Sequence, residues 1–167
     1  MIGRLANLPF KALGAVARKL QERNDAAVEA RYGKGTTADD YSEMDDRDVL
    51  GEKLPADWSP GELGLDPARA LADQRSGRAM TLVDVRKPAD YARAHIPGAM
   101  NMPLGTVHIR LAELPPDDRV VLYCDDGKRS REAASFVRFR GIEDAWVLTG
   151  GLPAWKKAGG QTTGGAR

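Results

Sequence analysis

Residues 120–130 read Val120-Val121-Leu122-Tyr123-Cys124-Asp125-Asp126-Gly127-Lys128-Arg129-Ser130. The first four residues form an apolar run typical of a buried strand. A helical pattern rich in Ala and Phe begins at the end of the stretch. A strand that ends at a thiol, turns through a Gly-containing loop and opens a helix directs backbone N–H groups at the sulfur. Such surroundings stabilise a thiolate, so the pattern predicts that Cys124, the only cysteine of the chain, is a nucleophile.

The composition is that of an ordinary globular protein. The chain has 167 residues, of which 42% are hydrophobic and 29% charged, enough for one domain with an appendage. A formal net charge of +1 gives no reason to expect nucleic-acid binding. A single cysteine cannot form an intramolecular disulfide, and no apolar run approaches the length of a membrane span. We therefore expect a soluble, cytoplasmic protein.

The N-terminal part differs from the rest of the chain. Residues 1–21 carry four basic side chains and no acid, with apolar residues at helical spacing, which favours a basic amphipathic helix. Such a helix could be an organelle-targeting peptide, lie on a membrane surface, or pack on its own domain or on a partner subunit. An acid-rich linker follows. We predict an N-terminal extension at 1–57, a folded domain at 58–160 and a flexible tail at 161–167.

From residue 63 onward the patterns of strand and helix alternate. Helices are predicted at 67–76, with Asp66 as the N-cap, and at 104–114, 129–140 and 152–158. A further short helix is predicted to start at 87–91 and to be closed by the turn residues 95–98. Strands are predicted at 80–85, 99–102, 120–123 and 145–148. These strands are continuous apolar runs rather than alternating ones, which is typical of a parallel sheet covered on both faces. In such sheets ligands bind beyond the carboxyl ends of the strands, where Cys124 lies.

Four motifs occur in one order along this region. They are Asp84-Val85-Arg86, Tyr91…His95-Ile96-Pro97-Gly98-Ala99, Tyr123-Cys124…Gly127…Arg129-Ser130, and Gly150-Gly151…Trp155. Together they resemble a single-domain rhodanese over residues 63–160. The resemblance implies a three-layer α/β fold, with a central, mostly parallel five-stranded sheet flanked by helices. It also implies a sulfurtransferase.

In a sulfurtransferase of this kind, Cys124 would take the outer sulfur of a small donor and hold it as a persulfide. A thiol or cyanide acceptor would then remove the sulfur. The predicted substrate-binding residues, which supply loop amides and cations, are Asp125, Asp126, Gly127, Lys128, Arg129 and Ser130. By the same resemblance Asp84 and Arg86 form an ion pair that shapes the pocket. No cofactor is implied, and one Cys with two distant His residues cannot build a zinc site.

Two other functions remain open. One is a Cys-dependent phosphatase or arsenate reductase, although the spacing from Cys124 to Arg129 is C-x4-R rather than the longer C-x5-R loop of such phosphatases. The other is a non-catalytic module that docks or delivers sulfur to a protein partner through the N-terminal extension. His95 belongs to a turn motif and is interpreted as structural, and His108 as a surface or half-buried residue.

The unusual feature of the loop is the pair of acids after the nucleophile. Two carboxylates beside Cys124 oppose its ionisation and repel a dianionic donor such as thiosulfate. If Asp125 and Asp126 point outward, solvent screens this effect. The pair could still tilt the preference toward a persulfide-bearing protein or a cationic acceptor.

Overall fold

The computed structural model describes residues 54–115 and 117–165. Its strands are β1 (Gly64–Leu65), β2 (Met80–Asp84), β3 (Met100–Asn101), β4 (Arg119–Tyr123) and β5 (Ala145–Leu148). Its helices are α1 (Pro67–Arg75), α2 (Pro88–Arg93), α3 (Val107–Arg110), α4 (Lys128–Phe139) and α5 (Gly151–Lys157). The amphipathic helix and the acid-rich run predicted in the N-terminal extension lie outside the described residues.

The strands form one five-stranded sheet in the order β1-β5-β4-β2-β3. Every pair of neighbouring strands in this sheet is parallel. Helices α1 and α5 contribute to the apolar cluster on one face, and α3 and α4 to the cluster on the other. The predicted three-layer α/β fold is thereby confirmed.

Strand β4 shows why the apolar run 120–123 predicts a central strand. All four side chains are fully buried. Val120 and Leu122 belong to the cluster packed against α4, whereas Val121 and Tyr123 belong to the cluster that contains residues of α1 and α5. Because successive side chains of a strand point to opposite faces, a strand covered on both faces needs an uninterrupted apolar sequence.

Two details of the fold differ from the sequence-based expectation. The region predicted as one helix at 104–114 consists of a single α-helical turn, Val107–Arg110, between the 3-10 turns Leu104–Thr106 and Leu111–Glu113. The sequence does not indicate the position of strand β1, because two residues are too few to show a period. Its place at the edge of the sheet is fixed by the backbone N–H of Val147, which donates to the Leu63 carbonyl at 2.7 Å.

The segment before β1 packs on α4. Trp58 meets Phe139 edge to face, with ring centroids 5.7 Å apart. Nη1 of Arg138 donates to the carbonyl oxygens of Pro60 and Glu62, both at 2.7 Å. These contacts tie the chain to the sheet beside β5, close to the amino ends of the strands, since Nε of the same Arg138 donates to the carbonyl of Ala145, the first residue of β5.

Candidate active site

Cys124 follows the last residue of β4 and is fully buried. Within the part of the chain that the structure describes, three polar groups lie around its sulfur. The backbone N–H of Gly127 donates to Sγ at 3.1 Å, and Oγ of Ser130 lies 3.4 Å from it. The thiol faces Oδ1 of Asp126 at 3.6 Å. The sulfur therefore lies inside the loop that joins β4 to α4.

The turn of this loop depends on Gly127. Its φ of +85° lies in the left-handed region, which glycine adopts without steric cost, and α4 begins at the next residue. This turn directs the Gly127 amide at the sulfur. The amide of Lys128 does not point there, since it donates to Oδ1 of Asp126 at 3.0 Å. The two loop amides thus have different acceptors: the Gly127 N–H donates to the sulfur, and the Lys128 N–H donates to the Asp126 carboxylate.

Gly151 brings a second backbone segment against the nucleophile. The Leu152 N–H donates to the Cys124 carbonyl at 2.9 Å. A Cβ at Gly151, whose φ is +60°, would lie 2.1 Å from that carbonyl oxygen and 2.9 Å from the Asp125 oxygen. Only glycine allows the start of α5 to approach the loop so closely.

Arg86 and Asp84 form a buried ion pair at the end of β2, next to β4. Nε and Nη2 of Arg86 donate to the Asp84 carboxylate at 2.9 Å and 2.6 Å, and Nη2 also donates to the Ala94 carbonyl at 2.6 Å. Burial disfavours the charged guanidinium, but the hydrogen bond and charge of Asp84 outweigh it and raise the pKa of Arg86. The Arg86 side chain is only 5% exposed, so it is held in one position.

The first acid of the loop joins this ion pair. Oδ1 of Asp125 accepts from Nη1 of Arg86 at 3.1 Å, and its Oδ2 lies 3.9 Å from Nη2 of Arg129. The guanidinium of Arg129, predicted as one of the substrate-binding cations, is thus placed against Asp125. Asp125 links the loop to the neighbouring strand, and two cations offset its charge.

The second acid turns back toward the sulfur. The pKa of Asp126 is lowered, first by the hydrogen bond from the Lys128 N–H. The hydrogen bond from the Cys124 thiol and the positive charge of Lys128 lower it further. Nζ of Lys128 lies 3.9 Å from Oδ2 of Asp126, but its side chain is 88% exposed, so this pair is weak. Asp126 is therefore an ionised group directly beside Cys124.

The histidines lie in other surroundings. Nδ1 of His95 is 2.8 Å from the Tyr91 carbonyl, and its ring stacks on Tyr91 with centroids 3.7 Å apart. Backbone hydrogen bonds of 2.8 Å in both directions also pair His95 with Thr163. His108 is half-buried on α3. In the described part of the chain, the groups in contact with Sγ include neither histidine.

Tyr123, the last residue of β4, holds the turn His95–Gly98 by a hydrogen bond. Its hydroxyl oxygen accepts the Ile96 N–H at 3.1 Å. Burial, and then the charge of Asp84, raises the pKa of Tyr123 well above its ordinary value, so the phenol stays neutral. The His95–Gly98 motif is thereby fixed to the strand that carries the nucleophile.

A cavity of about 260 Å³ lies beside the loop. Its lining residues come from the loop, α4, β1 and β5, and are Gly64, Asp126, Gly127, Lys128, Arg131, Val147, Thr149 and Gly150. The sequence patterns do not indicate Gly64 or Thr149 as residues of the site. Thr149 directly follows β5 at the carboxyl edge of the sheet, which could have indicated it, whereas Gly64 carries no such signal.

Neither a metal site nor a membrane span is found among residues 54–115 and 117–165. No group of three or more His, Cys, Asp or Glu side chains there is placed to hold a metal ion. Nor does any helix in these ranges combine the length and the apolar character needed to cross a bilayer.

Comparison with known proteins identifies the family. The model of the Rhodanese-like domain family matches residues 66–158, more than half of the chain. The chain belongs to the rhodanese-like family. This match covers every motif on which the sequence resemblance rests, and it includes the whole loop around Cys124.

Individual relatives agree with this assignment. A sulfurtransferase of Allochromatium vinosum is 40% identical over 92 residues, covering 55% of this chain and 83% of that protein. The probable adenylyltransferase/sulfurtransferase MoeZ of Mycobacterium tuberculosis is 33% identical over 166 residues, covering 94% of this chain and 38% of MoeZ. In the solved structures, the Alr3790 protein of Anabaena sp. matches with a TM-score of 0.57 and 32% identity, over 60% of this chain and 80% of that one.

The relatives support sulfur transfer as the general activity of this rhodanese-like domain. The similarity to MoeZ extends beyond the domain into the N-terminal residues, since it covers 94% of the chain. However, the chain spans little more than a third of the length of MoeZ.

Proposed function

We propose that this rhodanese-like protein is a sulfurtransferase that carries a sulfane sulfur on Cys124 as a persulfide. The observation that carries the proposal is the Gly127 N–H, which donates to Sγ at 3.1 Å inside the loop that opens α4. A backbone donor in this position stabilises an anionic sulfur without a general base. The persulfide that replaces the thiolate is also anionic, so the same donor serves both states.

Sulfur transfer takes two displacement steps at this site. In the first, the Cys124 thiolate attacks the outer sulfur of a donor such as thiosulfate. A new S–S bond forms, the S–S bond of the donor breaks, and sulfite leaves with the electron pair. In the second, a thiolate or cyanide attacks the terminal sulfur of the persulfide, and Cys124 leaves as thiolate. Neither step needs an oxidant or a cofactor.

The remaining site residues have supporting roles in this proposal. Ser130, with Oγ 3.4 Å from Sγ, can donate to either anionic sulfur. Arg86 and Asp84 hold the end of β2 against the loop through Asp125. A free thiol nucleophile needs reducing surroundings, and we therefore place the reaction in the cytoplasm.

The test is the mass of the intact chain after incubation with thiosulfate. We expect a gain of one sulfur atom, its loss on addition of cyanide with formation of thiocyanate, and neither event in the Cys124→Ser variant. Hydrolysis of a phosphate ester without sulfur uptake would instead support a phosphatase. Sulfur uptake from a persulfidated protein but from no small donor would support a delivery module, with the N-terminal extension as the proposed protein contact.

A further inference from the structure

One of the three groups around the Cys124 sulfur differs from the other two. Gly127 and Ser130 are uncharged, and Ser130 is fully buried. The Asp126 side chain carries a charge and is 55% exposed, although its Oδ1 is only 3.6 Å from Sγ. Because Cys124 itself is fully buried, a donor reaches the sulfur only when a covering group gives way. Of the two described side chains that contact Sγ, Asp126 is exposed and Ser130 is buried.

The neighbouring acid does not share this position. Asp125 is held by Arg86 at 3.1 Å and lies 3.9 Å from Arg129, so its charge is offset by two guanidinium groups. Among residues 54–115 and 117–165, the cation within 4 Å of the Asp126 carboxylate is the exposed ammonium of Lys128, at 3.9 Å, where solvent screens the attraction. Of the two loop acids, Asp126 is therefore the one whose charge an incoming donor meets.

Asp126 also faces the space beside the loop. It lines the cavity of about 260 Å³ together with Gly127, Lys128 and Arg131. In the described part of the chain, it is the only charged residue that both contacts Sγ and lines this cavity. The part of a donor beyond its transferable sulfur would lie against this carboxylate.

We propose that Asp126 is a specificity-determining residue, which disfavours dianionic sulfur donors and favours donors of lower negative charge or with a cationic group. This inference rests on the proposed function and names the charge class of its donor. At the short distances imposed by the loop, Coulomb repulsion in a partly exposed site changes a rate by about tenfold for each additional unit charge. A thiosulfonate or alkyl persulfide, with a single negative charge at the reacting end, meets less repulsion than thiosulfate.

The experiment compares three donors that react by the same displacement. They are thiosulfate, propanethiosulfonate, and the analogue of the latter that ends in an ammonium group, aminoethanethiosulfonate. Each gives its outer sulfur to Cys124 and releases sulfite or an alkylsulfinate. The rate constant of persulfide formation is measured for the full chain in single-turnover experiments. A change in the reactivity of Cys124 itself affects all three rates equally, so the ratios between donors report only the charge preference.

In the Asp126→Asn variant, we expect the rate ratio of thiosulfate to propanethiosulfonate to rise by about tenfold, and that of the ammonium donor to propanethiosulfonate to fall. Asp126→Ser, which removes the same charge, should give the same two shifts, and Asp126→Glu should keep the wild-type ratios. Asp117→Asn is the matched control. It removes an acid from the turn before β4, at the amino ends of the strands and thus at the opposite end of β4 from Cys124, and should change neither ratio.

Ratios that change by less than about twofold in both folded neutral variants would overturn the inference about Asp126. In that case the proposed function stands, because persulfide formation has still been observed. If the wild-type chain forms no Cys124 persulfide with any of the three donors, the proposed function itself fails.

Discussion

The contact between Gly151 and the loop allows a quantitative test of how the site is held. In Gly151→Ala, the new Cβ would lie 2.1 Å from the Cys124 carbonyl oxygen and 2.9 Å from that of Asp125. Both atoms belong to the backbone, so no side chain can rotate away to relieve the clash. The substitution must displace either the start of α5 or the loop that contains the nucleophile.

The expected cost has two parts. A non-glycine residue at φ +60° is strained by about 1–2 kcal/mol. Inserting a methyl group into closely packed surroundings costs about 1–3 kcal/mol more, and the Leu152 N–H to Cys124 O hydrogen bond is weakened at the same time. The total, about 2–5 kcal/mol, is a large fraction of the roughly 5–15 kcal/mol by which a domain is stable.

Gly141→Ala separates the two parts. Gly141 has a φ of +99°, but a Cβ there would meet nothing within 4 Å. This variant therefore carries only the backbone strain of about 1–2 kcal/mol. Urea unfolding of both variants, followed by tryptophan fluorescence, gives the two free energies, and persulfide formation with thiosulfate reports on the nucleophile. We expect Gly151→Ala to be the less stable variant and the only one with slower persulfide formation.

Two outcomes for these variants would contradict the expected effect of the Gly151 contact. If Gly151→Ala loses no more stability than Gly141→Ala, the close approach of α5 to the Cys124 carbonyl does not exist as described. If it loses stability but forms the persulfide at the wild-type rate, α5 stabilises the fold without positioning the nucleophile.

Two further predictions concern the charged residues of the site. Arg86→Met leaves the fully buried Asp84 without its cation and should lower the free energy of urea unfolding by about 3–5 kcal/mol. Arg86→Lys keeps the charge but loses the forked geometry, so it should lower this free energy by less. Equal losses in the two variants would contradict this account. The pKa of Asp126 is lowered from its ordinary value of 3.8, so its stabilising effect is fully present above that value and is lost as the pH falls through the lower folded-state pKa. The unfolding free energies of the wild type and Asp126→Asn should therefore converge on acidification from about pH 5 to about pH 2, and a gap that widens would show that the carboxylate is not stabilised by the fold.

The main strands and helices could be predicted because each leaves its own local pattern. The apolar run at 120–123 and the Asp66-Pro67 cap give two of these elements almost to the residue, since α1 begins at Pro67 and Asp66 accepts the N–H groups of Ala68 and Arg69. Strand β1 is different. Its two residues pair with Val147 and Leu148, more than 80 positions later, and no local pattern encodes that pairing.

The site divides in the same way. The position of Cys124 at the end of a strand is a local property, and so is the turn at Gly127. The partner of each loop acid is not a local property, because it depends on which strand lies beside β4. Sequence analysis therefore predicts that two carboxylates follow the nucleophile but cannot tell which of them acts on the sulfur.

Strand order decides that question. Because β2 is the neighbour of β4, Arg86 at the end of β2 lies within 3.1 Å of Asp125, which is 39 positions away in sequence. In the described sheet, no cation of a neighbouring strand pairs with Asp126, the next acid, and its carboxylate instead accepts the Lys128 amide at the start of α4. Two identical side chains in consecutive positions thus acquire different electrostatic roles from the topology of the sheet. The charge that a donor meets at Cys124 is therefore set by the order of the strands as well as by the composition of the loop.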